Sequence, residues 1–96
     1  MPTAIWNNQV IAEASESEAV VVEGNIYFPR HCVQQTYLRR TGKETVCGWK
    51  GVANYFDVVV GDQVNPNAAW TYEHPKDAAR QISSFVAFWK GVTVVA

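Results

Sequence analysis

A chain of 96 residues has surface enough for one compact core, so residues 1–96 read as a single domain. Apolar residues at 48% and charged residues at 18% exclude the disordered class. A net charge of −1, with the eight Lys and Arg scattered, argues against nucleic acid as a partner, because phosphate recognition needs a basic stripe.

The N-terminal MPTAIWNNQV has neither a basic n-region nor an apolar h-region, so no signal peptide is expected. Apolar runs such as AVVV are far too short to cross a bilayer, and no membrane partner is expected. Two cysteines without a secretory signal point to a reducing cytoplasm and free thiols, and a Cys32–Cys47 disulfide has little support.

In chain order, AIW-NN-QVIAEA (4–14) predicts a hairpin, with Asn7 and Asn8 suited to the positive φ of a tight turn. SESE (15–18) is a polar turn. AVVVEGNIYF (19–28) reads as one strand, with Val20, Val22, Ile26 and Phe28 on one face and Val21, Glu23, Asn25 and Tyr27 on the other. Pro29 ends it, and RHCVQQTYL (30–38) predicts a short helix. LRRTGK (38–43), the one basic cluster, reads as a solvated loop with a turn at its glycine.

VANYFDVVV-GD-QV (52–64) predicts a second hairpin turning at Gly61-Asp62, NPNA a turn, and AAWTYE (68–73) a short strand. HPKDAARQISSFVAFW (74–89) is the best helix candidate. Pro75 suits the first turn, and Ala78, Ile82, Phe85 or Val86, and Trp89 recur at helical spacing. VTVVA (92–96) closes the chain as a strand. The fold class expected is mainly β (β-rich α+β): two packed antiparallel sheets with one C-terminal amphipathic helix.

The chemistry-bearing residues are few. Cys47 lies near Lys50, and an ammonium favours the thiolate, so a nucleophile assisted by Lys50 with Glu23 or His31 as proton carrier is one reading. The plainer one makes Cys47 a small buried hydrophobe, as free cysteines usually are. His31, Cys32, Cys47 and His74 lack the paired spacing of a zinc site, so no metal is expected. Phosphate loops, H-E-x-x-H and G-x-S-x-G are absent.

Strand parity is more suggestive. Glu23, Asn25 and Tyr27 share a face, as do Ala53, Tyr55 and Asp57, and Trp70, Tyr72 and His74. Aromatics are 12% of the chain, a heavy load for one small core. Converging faces would make an aromatic-walled pocket with a few polar groups, the usual make-up of a small-molecule site. The alternative is that these rings cover an outer sheet face.

VVEGNIYFP (21–29), TVCGWKGVANY (45–55), AAWTYEHP (68–75) and ISSFVAFW (82–89), in that order and spacing, closely resemble the domain of unknown function 427 family of small, mostly bacterial proteins. The family pattern falls on Glu23, Asn25, Tyr27, Pro29, Thr45, Cys47, Trp49, Lys50, Gly51, Ala53, Tyr55, Trp70, Tyr72 and Pro75. The resemblance implies antiparallel sheets with a helix, a plan akin to the β-tent group, whose C-x-x-C zinc knuckles this chain lacks. Gly48 stands where relatives more often have proline. The family also carries a nucleotidyltransferase-like label, but the Gly-Ser and paired-aspartate signature of such enzymes is missing.

The leading expectation is a cytoplasmic, non-enzymatic module that binds a small molecule, its cofactor unknown, as a monomer or homodimer. Tyr27, Tyr55, Trp70 and Tyr72 would line its pocket. Glu23, Asn25, Trp49 and Lys50 would surround it, and Cys47 would lie at the rim. An enzyme with Cys47 as nucleophile and a protein-interaction domain are the rivals.

Overall fold

The computed structural model describes residues 1–96. Strands hold 56% of the chain and short helical turns 12%, in three antiparallel sheets, so the fold is mainly β. Strands β1 (Thr3–Trp6) and β2 (Gln9–Glu13) form the N-terminal hairpin, and β9 (Thr93–Val95) joins β1 to give the order β2-β1-β9. Asn7 and Asn8 hold φ of 52° and 62°, the left-handed values that a two-residue turn demands and asparagine tolerates.

The segment expected as one long strand is instead a hairpin of β3 (Val20–Val22) and β4 (Asn25–Tyr27). Glu23 (φ 52°) and Gly24 (φ 79°) make the turn between them. Only the glycine announces it in sequence, because valines and a β-branched partner continue the strand pattern on either side.

The largest sheet is a meander of β5 (Leu38–Cys47), β6 (Gly51–Val60), β7 (Gln63–Thr71) and β8 (Val86–Phe88). Gly61 (φ 57°) turns β6 into β7 at the predicted Gly-Asp pair. LRRTGK is strand rather than loop. Arg39 and Arg40 pair with Asp57 and Phe56 before an irregularity ending at Glu44, and their guanidinium groups bind Asp57 at 2.8 Å and Glu73 at 2.9 Å. NPNA likewise lies inside β7, where a register shift and Asn67 (φ 52°) absorb the turn signal.

The predicted C-terminal helix is not present. Asp77–Ile82 forms a 3₁₀ segment broken at Ala79 (φ −118°, ψ 19°), Ser84 turns left-handed (φ 62°), and Val86–Phe88 becomes the fourth strand of the large sheet. Val86, Ala87 and Phe88 are all buried, so both sides of this run need cover. An edge position in a sheet provides that, whereas an amphipathic helix would cover one side only. The helix expected over 30–38 is likewise two single 3₁₀ turns, Arg30–Cys32 and Gln35–Tyr37. No helix is long and apolar enough to cross a membrane.

The large sheet has an apolar cluster on each face. One cluster joins Phe56, Val58, Ala69, Val86 and Phe88 to Ala4, Ile11 and Ala12 of the N-terminal sheet and to Phe28. The other contains Tyr27, Ala53, Tyr55, Trp70, Tyr72, Ala79, Ile82 and Ala87. Tyr55 and Phe56, Ala69 and Trp70, and Val86, Ala87 and Phe88 in turn alternate between the two, as the period of a strand requires. Paired backbone hydrogen bonds of 2.8 Å between Phe28 and Val86 fasten the β3–β4 hairpin beside β8. That docking brings Asn25 and Tyr27 over the second face.

Candidate functional site

A half-open cavity of about 260 Å³ lies on the second face of the large sheet. Asn25 and Tyr27 of β4, Lys50 of the β5–β6 turn, Tyr55 of β6, Trp70 and Tyr72 of and beyond β7, and Trp89 beyond β8 line it. Five of the residues grouped by strand parity, Asn25, Tyr27, Tyr55, Trp70 and Tyr72, therefore meet at this one space. Trp70 is the hub. Its indole N–H donates to the Tyr27 hydroxyl at 3.2 Å, and the two rings meet edge to face with centroids 6.2 Å apart. Trp89 meets Trp70 edge to face at 5.8 Å, and Tyr55 tilts against both at 6.4 Å. Edge-to-face contacts of this kind align ring quadrupoles and fix each ring's direction.

Polar anchors hold the rings in place. The Tyr55 hydroxyl lies 3.0 Å from Thr45 Oγ1, and the Lys43 ammonium sits 5.5 Å from the centre of the Tyr55 ring. Trp89 donates its indole N–H to the Asn67 carbonyl at 2.7 Å. Burial raises the Tyr27 hydroxyl above the usual phenol range, against the pull of the Trp70 hydrogen bond. Burial also pushes Tyr72 up to about 12, against the nearby Lys50 ammonium. Both hydroxyls are therefore neutral donors at physiological pH.

Lys50 is the most unusual side chain in the site, a lysine only 6% exposed. Its ammonium lies 5.5 Å from the centre of the Tyr72 ring and 5.2 Å from that of Trp49, and it hydrogen-bonds the Glu23 carboxylate. Burial works against the charged ammonium, but the Glu23 hydrogen bond, with Tyr27 and Tyr72, outweighs it and leaves the Lys50 pKa raised. Trp49 adds an indole N–H to the same carboxylate at 3.3 Å. The Lys50 and Trp49 hydrogen bonds hold Glu23 below the usual carboxylate range.

The backbone explains how a lysine in GWKG turns inward. The Lys50 carbonyl accepts from Lys76 N at 2.9 Å, and the Lys76 ammonium reaches back to the Gly48 carbonyl at 2.8 Å. Gly51 takes φ 109°, a conformation that side chains rarely adopt, and the backbone of His74–Lys76 packs against its open side. The turn is thus clamped from the segment after Tyr72.

A family model described as Domain of unknown function (DUF427), labelled NTP_transf_9, matches residues 3–95. The chain belongs to this family. Among curated proteins none matches it.

In this DUF427 chain the expected pocket residues Asn25, Tyr27, Lys50, Tyr55, Trp70 and Tyr72 all line the one cavity. Glu23 and Trp49 stand beside it, gripping Lys50 from the solvent side. Cys47 is half-buried against the aromatic cluster. Two residues grouped by parity fall elsewhere. A register shift between Phe56 and Val58 turns Asp57 away to Arg39 and to the Asn67 amide, and His74 is exposed.

Helical spacing hides Trp89 as a wall of the cavity, because the helix expected over 74–89 puts it on a core stripe. With Val86–Phe88 as a strand, Ala87 and Trp89 share the Trp70 face by simple alternation. Both cysteines are free thiols. His31 does not serve Cys47: it hydrogen-bonds Glu18 at 3.1 Å and lines a separate, open groove of about 910 Å³. Nor do His31, Cys32, Cys47 and His74 assemble. Instead Glu18, His31 and Cys32 bring an oxygen, a nitrogen and a sulfur within 4.8 Å of one another. Ser15 holds that carboxylate through its amide at 3.1 Å and its hydroxyl at 2.9 Å, an arrangement explained by a turn closed on itself and the His31 hydrogen bond.

Proposed function

We propose that this chain is a non-enzymatic binding module that holds a small ring-bearing molecule in the cavity between Trp70, Trp89 and Tyr72. One observation carries this reading: five aromatic side chains, a buried lysine and an asparagine amide, drawn from separate parts of the chain, converge on one half-open space. The opposite face of the same sheet is instead closed by alanine, valine, isoleucine and phenylalanine side chains, with no charged or polar side chain among its buried members. About 260 Å³ lies just below the usual range of ligand pockets and suits one or two fused rings.

The residues offered to a nucleophilic mechanism are otherwise engaged, Lys50 with Glu23 and His31 with Glu18, which favours binding over catalysis. The two unpaired thiols support a reducing, cytoplasmic setting.

The test is a thermal-shift screen of the purified protein against ring-bearing metabolites, with a Trp89→Ala variant alongside. Trp89 is 42% exposed, so its removal spares the core while opening one wall. Stabilisation by a defined chemical group, lost in Trp89→Ala, is the expected result. No stabilisation across the set, or stabilisation indifferent to Trp89, contradicts the reading.

A further inference from the structure

We infer that the cavity takes a planar ring bearing an anionic group, and that the Glu23 carboxylate is the stand-in which such a group displaces from Lys50. The inference rests on the binding reading above and adds the charge of the ligand.

Three observations lead to it. First, the cation that an aromatic cage would attract is already present. The Lys50 ammonium lies within 5.5 Å of two ring centres, so an incoming cation would meet a resident like charge with few counter-charges. Second, the polar groups on the wall are weighted toward donors. The Lys50 ammonium and the neutral Tyr72 hydroxyl both offer protons, and the Asn25 amide on the same wall can donate as well as accept. An acceptor-rich group such as a carboxylate matches this set.

Third, the only carboxylate paired with this buried ammonium comes from outside the cavity walls. Glu23 is exposed and sits at the tip of the β3–β4 hairpin with φ 52°, where asparagine or glycine is the ordinary choice. Trp49 steadies it with one indole N–H at 3.3 Å. The Lys50 side chain is only 7% exposed, whereas that of Glu23 is 53% exposed and can rotate into solvent and be fully hydrated there. Exchanging one carboxylate for another at Lys50 therefore leaves no charge buried and unpaired. A neutral ligand would gain nothing from the exchange. A cationic one would have to bind against the ammonium.

A matched series tests the charge: benzoate, benzamide and benzylammonium, with 2-naphthoate as a larger carboxylate. Each is titrated into the full chain and followed by the indole N–H resonances of Trp70 and Trp89. The carboxylates are expected to bind about tenfold or more tighter than the amide, with the ammonium weakest. Glu23→Gln, which removes the competitor, should tighten benzoate by about three- to tenfold. Lys50→Met should abolish the preference of carboxylate over amide. Glu23→Asn, which suits the left-handed turn, gives the same comparison if the glutamine variant folds poorly.

Two failures are distinct. If benzamide or benzylammonium binds as well as benzoate, or if Glu23→Gln weakens benzoate, the anion inference falls and the cavity reading stands. If none of the four moves the Trp70 and Trp89 signals at millimolar concentration, the cavity reading falls with it.

Discussion

The two faces of the large sheet are built from alternate residues of the same strands and do different things. On one face Phe56, Val58, Ala69, Val86 and Phe88 pack against the N-terminal sheet, without a charged group among the buried members. On the other, Tyr55, Trp70, Tyr72 and Ala87 lie beside a lysine, an asparagine and an open space. The first arrangement gains stability from every atom it seals away. The second keeps polar atoms where each needs a partner, which costs stability wherever one is missing. A face retained on those terms is the natural place for a site.

The comparison is broken most forcefully on the sealed side. Phe28 is fully buried and stacks edge to face on Phe88 at 5.8 Å. Phe28→Ala should cost about 3–5 kcal/mol, read from the urea midpoint, while the cavity-facing Trp89→Ala should cost much less. Equal losses would mean that the two faces are one core.

Next in size is Trp70→Phe, which removes an indole N–H from the Tyr27 hydroxyl while keeping an aromatic ring. A loss of about 1–3 kcal/mol is expected, with a weaker and red-shifted tryptophan emission, because the most buried of the four indoles is gone. A neutral outcome would show that the Trp70–Tyr27 hydrogen bond does not organise the cavity.

pH separates the faces more gently. Burial lifts Tyr72 to about 12 in the folded chain, against ~10 for a tyrosine in the unfolded chain. The raised value means that the folded state holds its proton more tightly. The associated stability is intact below pH ~10 and is lost as pH climbs toward 12. Lys50, also raised, acts in the same sense. Urea midpoints should therefore fall between pH 9 and 11, and fall less in Tyr72→Phe; an identical fall in both would contradict the assignment.

The smallest effect belongs to the rim of the sheet. Arg39 is largely exposed where it meets Asp57, so Arg39→Ala should change stability by no more than about 1 kcal/mol, and by less at high salt.

How much of this was legible depended on which signal each residue carried. Tyr55 and Trp70 could be placed on one face because β6 and β7 alternate cleanly around them, and they do pair across the ladder. Asp57 could not, since a register shift leaves no mark on the residue types around it. Trp89 was hidden by coincidence: Ala78, Ile82, Phe85 and Trp89 fit a helical stripe as well as they fit a 3₁₀ segment followed by a strand. Short apolar runs are ambiguous in this way until their neighbours in space are known. The Glu23–Lys50 pair was beyond sequence reasoning altogether. It joins residues 27 apart through a hairpin turn that valines disguise and a lysine turned inward by a clamp from Lys76.

The most direct measurement of the central claim uses the four indole N–H signals during titration with 2-naphthoate. Trp6 packs against the sealed cluster, Trp70 and Trp89 line the cavity, and Trp49 sits beside Lys50. Saturable shifts of Trp70 and Trp89, a smaller one at Trp49 and none at Trp6 are the predicted result. Four unmoved signals, or a shift led by Trp6, would contradict it.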